Sequence, residues 1–382
     1  MYNVELFSNT WHVLSAILIF LSGLILALPL SRYFNIGTKM TVGLYLYHSL
    51  FCMVYLFYVI NFGGDAIGYF RASMFALPDF KPGTIGLYYF VSYLHQFDLS
   101  IVGCFLIFNL FGCIGLFAFY SSLKSVTYNS SVKIKRIVML VVFLPSVSFW
   151  SAGMGKDAIS FMAMGLALYA ALNFNRRILV MVIAISLMLF VRPHMAGMLI
   201  IAISISIIIQ KNIPLMPRML VGALALAVST VMIPFALNYA GVSEDASNLE
   251  SYIAQRANSN LGGGSSLDIA SMPLPVQMFT YLFRPLPVEA RSITQLLASI
   301  DNMLLLYLLF VGFRARKKVK NIQLEGNRAF MWSYVAISWV ILSMTTANLG
   351  IAMRQKWMFT PILIFLLISM LAAAEKKRMN KH

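Results

Sequence analysis

The residues of this sequence best suited to chemistry are cations set beside helix ends. Lys156 and Asp157 close the turn Gly153-Met-Gly-Lys-Asp157, Arg192 stands in Val191-Arg-Pro-His194, and Arg354 and Lys356 flank Gln355 in Met353-Arg-Gln-Lys356. Each turn abuts apolar runs with almost no polar linker, which places these charges near membrane depth. Charges there are costly and normally face a protein interior or a wet cavity. Arg256, Arg284 and Arg291 add to the set from one long polar stretch that ends near Phe283-Arg-Pro-Leu-Pro287. Guanidinium forks match phosphate oxygens in a way an ammonium does not. Together Lys156, Arg192, Arg256, Arg284, Arg291, Arg354 and Lys356 therefore read as a binding set for an anion, and at a membrane that anion is a lipid phosphate or pyrophosphate. Lys156 has the added advantage of a helix start, whose free N–H groups and positive dipole end favour anions. The competing reading is structural: basic residues at helix ends snorkel, and Asp157 beside Lys156, or Glu289 near Arg284 and Arg291, make plain ion pairs.

Four residues are candidates for proton transfer. Asp65 lies in Gly63-Gly-Asp-Ala-Ile-Gly-Tyr-Phe70, with Tyr69 four residues on and so on the same face of a helix. A carboxylate beside a membrane-embedded cavity can serve as general base for a hydroxyl nucleophile; as a turn residue it can equally cap the following helix. Asp157 and Glu289 are the other carboxylates in the right segments. His194 follows Arg-Pro at a helix start and suits either acid–base work or a neutral hydrogen bond. His12, His48, His95 and His382 have no metal-ligand spacing, and Cys52, Cys104 and Cys113 sit in apolar runs as small buried hydrophobes, so no metal is expected. A phosphate-cradling P-loop, a Gly-rich dinucleotide turn and a nucleophile elbow are all missing, so no cofactor is expected either.

The elements that must hold these residues are written in the composition. Of 382 residues 60% are hydrophobic and 11% charged, with a mean hydropathy of +0.81. A soluble domain carries about a quarter charged residues. The apolar runs approach the ~20 residues that a helix needs to cross the hydrocarbon core, and the alternating pattern of a spanning barrel is absent. Helices satisfy their own backbone in lipid. Runs at 12–30, 40–61, 99–121, 137–150, 158–173, 178–191, 195–210, 219–240, 292–312, 329–347 and 357–374 are expected as spans. The apolar but short segments 85–97 and 277–283 are expected as interfacial or re-entrant helices. The first run has neither a basic lead-in nor a cleavage site, so it is expected as a retained helix. No internal repeat is visible.

Charge sets the expected orientation. The connections holding Arg32 and Lys39, Lys124 to Arg136, Arg176 and Arg177, Lys211 and Arg218, Arg314 to Arg328, and Lys376 to Lys381 fall on one side. They carry most of the 29 Lys and Arg residues and only two acids, Glu325 and Glu375. By the positive-inside rule that side is cytoplasmic. The net charge of +16 is thus a topological signal, suited to anionic lipid headgroups and calling for no nucleic acid. The expectation is an all-α polytopic bundle of about eleven spans, a single integral membrane domain over 1–382, with its N-terminus outside and C-terminus inside. Two outer loops follow, 62–98 and a large one at 241–291 with an amphipathic helix around Asn248 to Asn258.

In this order the motifs resemble those of the Wzy-type polymerases of O-antigen and capsular polysaccharide and the related EpsG-like membrane proteins. The matching features are Gly64-Asp65 with Tyr69, Phe149-Trp-Ser-Ala-Gly-Met-Gly-Lys-Asp157, Arg192-Pro193, Phe283-Arg-Pro285, and Arg354-Gln-Lys356 with Pro361. The resemblance implies a C-type membrane glycosyltransferase of the bacterial inner membrane, active on the periplasmic face without a nucleotide sugar. It implies transfer of a growing glycan from undecaprenyl pyrophosphate to a sugar hydroxyl of an incoming lipid-linked repeat unit. Membrane lipids and a chain-length regulator protein are the implied partners. The arginines and Lys156 would stabilise the pyrophosphate leaving group, with Asp65 as base ahead of Asp157, Glu289 and His194. One departure stands out: such polymerases often have two large arginine-bearing outer loops, whereas the Arg192 loop here is very short. Two other readings stay open: an O-antigen ligase or lipid-phosphate-sugar transferase of the same chemistry, and a flippase or exporter of lipid-linked sugars. A transporter should place charges in mid-helix, where the sequence offers Asp301 as the one acid.

Overall fold

The computed structural model describes residues 5–210, 214–216, 218–220, 222–224, 227, 230, 272–290, 292–317, 319, 325–346 and 348–379. Most of the expected 219–240 span, the amphipathic helix near 248–258, and Arg256 and Arg291 lie outside these residues. The described chain is all-helical. It divides into two compact units, the first built from Met1–Ser125, Arg136–Ala170 and Asn175–Arg192, the second from Val126–Lys135, Ala171–Phe174 and Pro193–His382.

The first unit contains α1 (Thr10–Tyr33), α2 (Thr38–Phe62), α3 (Asp65–Ala72), α4 (Thr84–His95), most of α5 (Ile101–Thr127), the later part of α6 (Val132–Val142), α7 (Pro145–Ser151), most of α8 (Lys156–Ala171) and α9 (Ile178–Val191). Helix α1 starts where the Asn9 side chain accepts the His12 N–H at 2.8 Å, as an N-cap does. Helix α5 is the most buried of the long helices, with 78% of its apolar window inside the protein. It meets α8 backbone to backbone, since a Cβ on Gly165 would lie 2.4 Å from the Gly115 carbonyl oxygen. Such small-residue seams replace the hydrophobic drive between helices, which lipid removes.

The expected single helix at 137–150 is corrected to two, α6 and α7, separated at Phe143-Leu144. The cause is Pro145. Its ring disfavours the α conformation of the residue before it while suiting the first turn of the next helix.

The second unit contains α10 (Pro193–Ile209), α11 (Leu274–Phe283), α12 (Ile293–Arg316), α13 (Arg328–Thr345), α14 (Leu349–Gln355) and α15 (Thr360–Met379). Helix α10 packs on α13 and α12 on α15, while α11 rests against α12, α13 and α14. Asn327 caps α13 by accepting the Phe330 N–H at 3.1 Å and also donates to Ser206 Oγ at 2.6 Å. Helix α15 is buried without interruption from Thr360 to Met370.

Helices α1, α2, α5 and α12 are long and apolar enough to cross a bilayer, and α14 with α15, bent by 61° at a short break, makes a fifth if counted as one span. Their outward faces carry large apolar side chains, among them Ile25 at 66% exposure, Phe57 at 69% and Phe310 at 66%. Contiguous exposed apolar surface of this kind marks a face meant for something other than water. The protein is a helical membrane protein.

Candidate functional site

In the first unit the site begins with two glycines. Gly63 and Gly64 have φ of 81° and 154°, values that L side chains rarely adopt, and they turn the chain from α2 into α3. Asp65 is the first residue of α3 and is exposed. Tyr69 follows one turn later, buried, with its ring 5.9 Å from that of Tyr88. A Cβ on Gly155 would touch Tyr69 Cε2 at 3.7 Å, so this ring lies against the turn that precedes α8. Gly153 of the same turn presses on Tyr55, where a Cβ would fall 1.9 Å from Cδ1, a gap that admits no side chain.

Helix α8 then opens with Lys156 and Asp157. The Lys156 ammonium donates to Thr84 Oγ1, at the start of α4, at 2.7 Å. Asp157 pairs with Arg192: Arg192 Nη2 donates to Asp157 Oδ1 at 2.6 Å, with side-chain exposures of 7% and 13%. Arg192 sits at the C-terminal end of α9, whose neighbour Phe190 accepts the Gly83 N–H at 2.7 Å. The starts of α3, α4 and α8 and the end of α9 therefore bring Tyr69, Lys156, Asp157 and Arg192 together, with Asp65 one helical turn from Tyr69. Asp157, a pairing candidate in the sequence, is thus reached by the Arg192 fork from the end of α9, while Lys156 turns to Thr84.

The second unit holds its own cluster. Arg284 grips Glu289 with two prongs, Nε to Oε2 at 3.0 Å and Nη2 to Oε1 at 2.9 Å, the geometry that favours Arg over Lys. Burial pushes the Glu289 carboxyl up, and the Arg284 guanidinium and the Leu286 N–H outweigh it, so the carboxyl is held below the ordinary glutamate value. The next residue, Pro285, accepts from Asn302 Nδ2 at 3.0 Å, and Asn302 Oδ1 in turn accepts from Lys356 Nζ at 2.5 Å. Lys356 is 1% exposed, Asn302 0% and Asp301 1%. Asp301 is close enough for its charge to act on Lys356, and the ammonium stands 5.7 Å from the Trp357 ring centre. The turn that carries Lys356 is fixed from outside itself: Tyr334 donates to the Met358 carbonyl at 3.1 Å. His194, in the first turn of α10, and Arg354, in the last turn of α14, are half-buried in the same unit. Arg192 and His194, two residues apart in the motif Arg-Pro-His, thus belong to different units.

No family model, curated protein or solved structure matches the chain.

Two residues of these clusters escaped the sequence reading. Thr84 gives no periodic signal, being one hydroxyl at the start of a short apolar helix. Asn302 follows Asp301 inside an apolar helix, and two adjacent polar residues there were a usable sign. His48, in α2, lies outside both clusters: its ring nitrogens contact Asn109 Oδ1 at 2.6 Å and Ser151 Oγ at 3.0 Å in the core of the first unit.

Proposed function

We propose that the chain is a membrane glycosyltransferase of the polysaccharide-polymerase type, acting on pyrophosphate-linked glycans at the non-cytoplasmic face of a bacterial inner membrane. The observation that carries this reading is Lys156: a half-buried ammonium at the first residue of α8, braced by Thr84 and backed by the Arg192–Asp157 pair. Cation and helix start act on the same side, and an anion there meets both. In transfer, the bond between the sugar anomeric carbon and the pyrophosphate oxygen breaks and its electrons leave with pyrophosphate. Lys156 stabilises that developing charge. The acceptor hydroxyl forms the new glycosidic bond and gives its proton to Asp65, whose exposed carboxylate stands one turn from Tyr69. In the second unit Arg284 is half-buried and held in shape by Glu289.

Eleven spans and an outside N-terminus belong to the same proposal, as do undecaprenyl pyrophosphate as carrier and a chain-length regulator as partner. The test is complementation of a cell that depends on this chain for its surface polymer. Lys156→Ala is expected to insert normally and to leave single repeat units on the carrier instead of a ladder. A wild-type ladder from Lys156→Ala would refute the assignment.

One observation favours a second reading. Asp301 and Lys356 are charges buried inside the second unit, a placement that a flippase for lipid-linked sugars would use. Reconstitution separates the two: liposomes given lipid-linked repeat units yield longer glycans under the first reading, and repeat units moved across the bilayer with unchanged length under the second.

A further inference from the structure

A cleft of about 680 Å3 opens in the first unit where the start of α1, the ends of α3 and α4, and the start of α5 come together. Its size falls within the roughly 300–1,000 Å3 typical of small-molecule sites. One wall is a clasp. Asn9 Nδ2 donates to Asp98 Oδ2 at 3.1 Å, and Trp11 Nε1 donates to the Phe97 carbonyl at 2.9 Å. His12 Nδ1 accepts the Ser8 N–H at 3.0 Å, so its proton is on Nε2, which donates to Asp98 Oδ1 at 3.2 Å. Both carboxylate oxygens of the exposed Asp98 are thereby aimed, each with a lone pair to spare.

The opposite wall carries an unsatisfied acceptor. The single hydroxyl proton of Ser73 goes to the Phe70 carbonyl at 2.8 Å, so Ser73 Oγ can only accept from His95 Nδ1, 3.2 Å away. That fixes the tautomer and leaves His95 Nε2 as a bare lone pair, buried and without a hydrogen-bond partner among the described residues. Buried acceptors in native proteins are almost always supplied with a donor. Burial also keeps this imidazole below its ordinary pKa, against a smaller opposing effect of Ser73, so the lone pair persists at neutral pH.

The rest of the lining decides the ligand. Glu5 and Asp98 face one Arg71, and Gln96 adds an amide. A phosphate site would gather cations, and a cation site would lack the guanidinium. Phe70, meeting His95 edge-on at 4.7 Å between ring centres, gives an apolar flank. Aimed acceptors, a guanidinium and amide as donors, near-neutral charge and an aromatic flank suit a ring whose hydroxyls both donate and accept and whose C–H faces are apolar.

We propose that this cleft binds an uncharged saccharide unit, with His95 Nε2 and Asp98 accepting its hydroxyl protons and Arg71 and Gln96 donating to its oxygens. Helix α3 carries Tyr69 against the Lys156 turn and, at the next two positions, Phe70 and Arg71 into this cleft. A glycan held here would lie one helix away from Lys156. That link to transfer rests on the proposed function; the binding itself does not.

The test uses the full chain purified in detergent, with saturation-transfer NMR against lactose, cellobiose and N,N′-diacetylchitobiose, and pyrophosphate as the anionic comparison. At least one sugar is expected to bind saturably. Asp98→Ala and Gln96→Ala, both at exposed positions, should each weaken it about tenfold or more, as loss of a hydrogen bond to a polar ligand does. Ser92→Trp should fill the cleft and abolish binding, while Lys156→Ala leaves it unchanged. Monodispersity on gel filtration certifies each variant. Absence of binding to all three sugars, binding of pyrophosphate or an anionic lipid headgroup in the cleft instead, or sugar binding that survives both Asp98→Ala and Ser92→Trp would each overturn the proposal. Loss of polymer in Lys156→Ala with sugar binding intact would leave both readings standing, and a full polymer ladder with sugar binding intact would sink only the transferase.

Discussion

Two lysines in this molecule stand at the approach to apolar helices, Lys156 at the start of α8 and Lys356 shortly before α15, and the protein treats them differently. Lys156 is half-buried, starts α8 and leans on a threonine hydroxyl. Lys356 is 1% exposed, sits in the 3-10 turn of Lys356–Met358 before α15, and is held by Asn302 with Asp301 near. A charge that remains partly open can meet a ligand. One enclosed by its own partners has its charge spent on the fold. The difference assigns chemistry to the first lysine and architecture to the second.

The sharpest way to break that contrast is to remove the enclosed charge. Lys356→Ala leaves Asp301 and Asn302 buried without their cation, a change expected to cost about 3–5 kcal/mol and to abolish a monodisperse peak on gel filtration. Adding Asp301→Asn should recover part of the loss. Retention of wild-type thermal stability by the single variant would equalise the two lysines and refute the contrast. Arg192→Ala should be of similar size, about 3–5 kcal/mol, because it takes the guanidinium from a largely buried Asp157 carboxylate in the first unit; here the thermal midpoint of Arg192→Gln combined with Asp157→Asn, expected near wild type, is the check.

Lys156→Met sharpens the comparison from the other side. Its thermal midpoint should move little, while the rate of polymer formation falls about 10²–10³-fold, the size of losing one group that stabilises developing negative charge. Equal losses of stability and rate would return Lys156 to a structural role. The smallest effect concerns Glu289. Its carboxyl is held below the ordinary value in the folded state, so the stabilisation is present above the unfolded-state pKa and is lost as pH falls through the lower, folded-state pKa. Wild type should therefore lose slightly more stability than Glu289→Gln on acidification below about pH 4, measured as the difference in thermal midpoint between neutral and acid buffers.

Much of the helical framework was legible beforehand because lipid demands long apolar runs: α9 covers Ile178–Val191, the same stretch that composition marked. The break at Leu144 was legible in principle too, since Pro145 announces it. The clusters were readable only as residue types. Nothing in sequence says that Asp157 reaches across to Arg192, because that contact depends on the end of α9 meeting the start of α8. Thr84 and Asn302 became functional neighbours through tertiary packing alone. The cleft at Asp98 was invisible for the same reason: Asn9, His12, Ser73 and His95 are ordinary polar residues until the start of α1 and the end of α4 are joined.

The seam between Gly115 and Gly165 has a further consequence. With bare backbone on both sides, α8 has no side-chain cushion along which to slide over α5. Lys156 lies nine residues up α8 from that seam, about 13 Å along the axis, so the seam acts as a depth gauge for the ammonium. Each residue of slippage would shift its reach by about 1.5 Å, and a methyl group added at Gly165 would detune where this charge meets a phosphate without altering the charge at all.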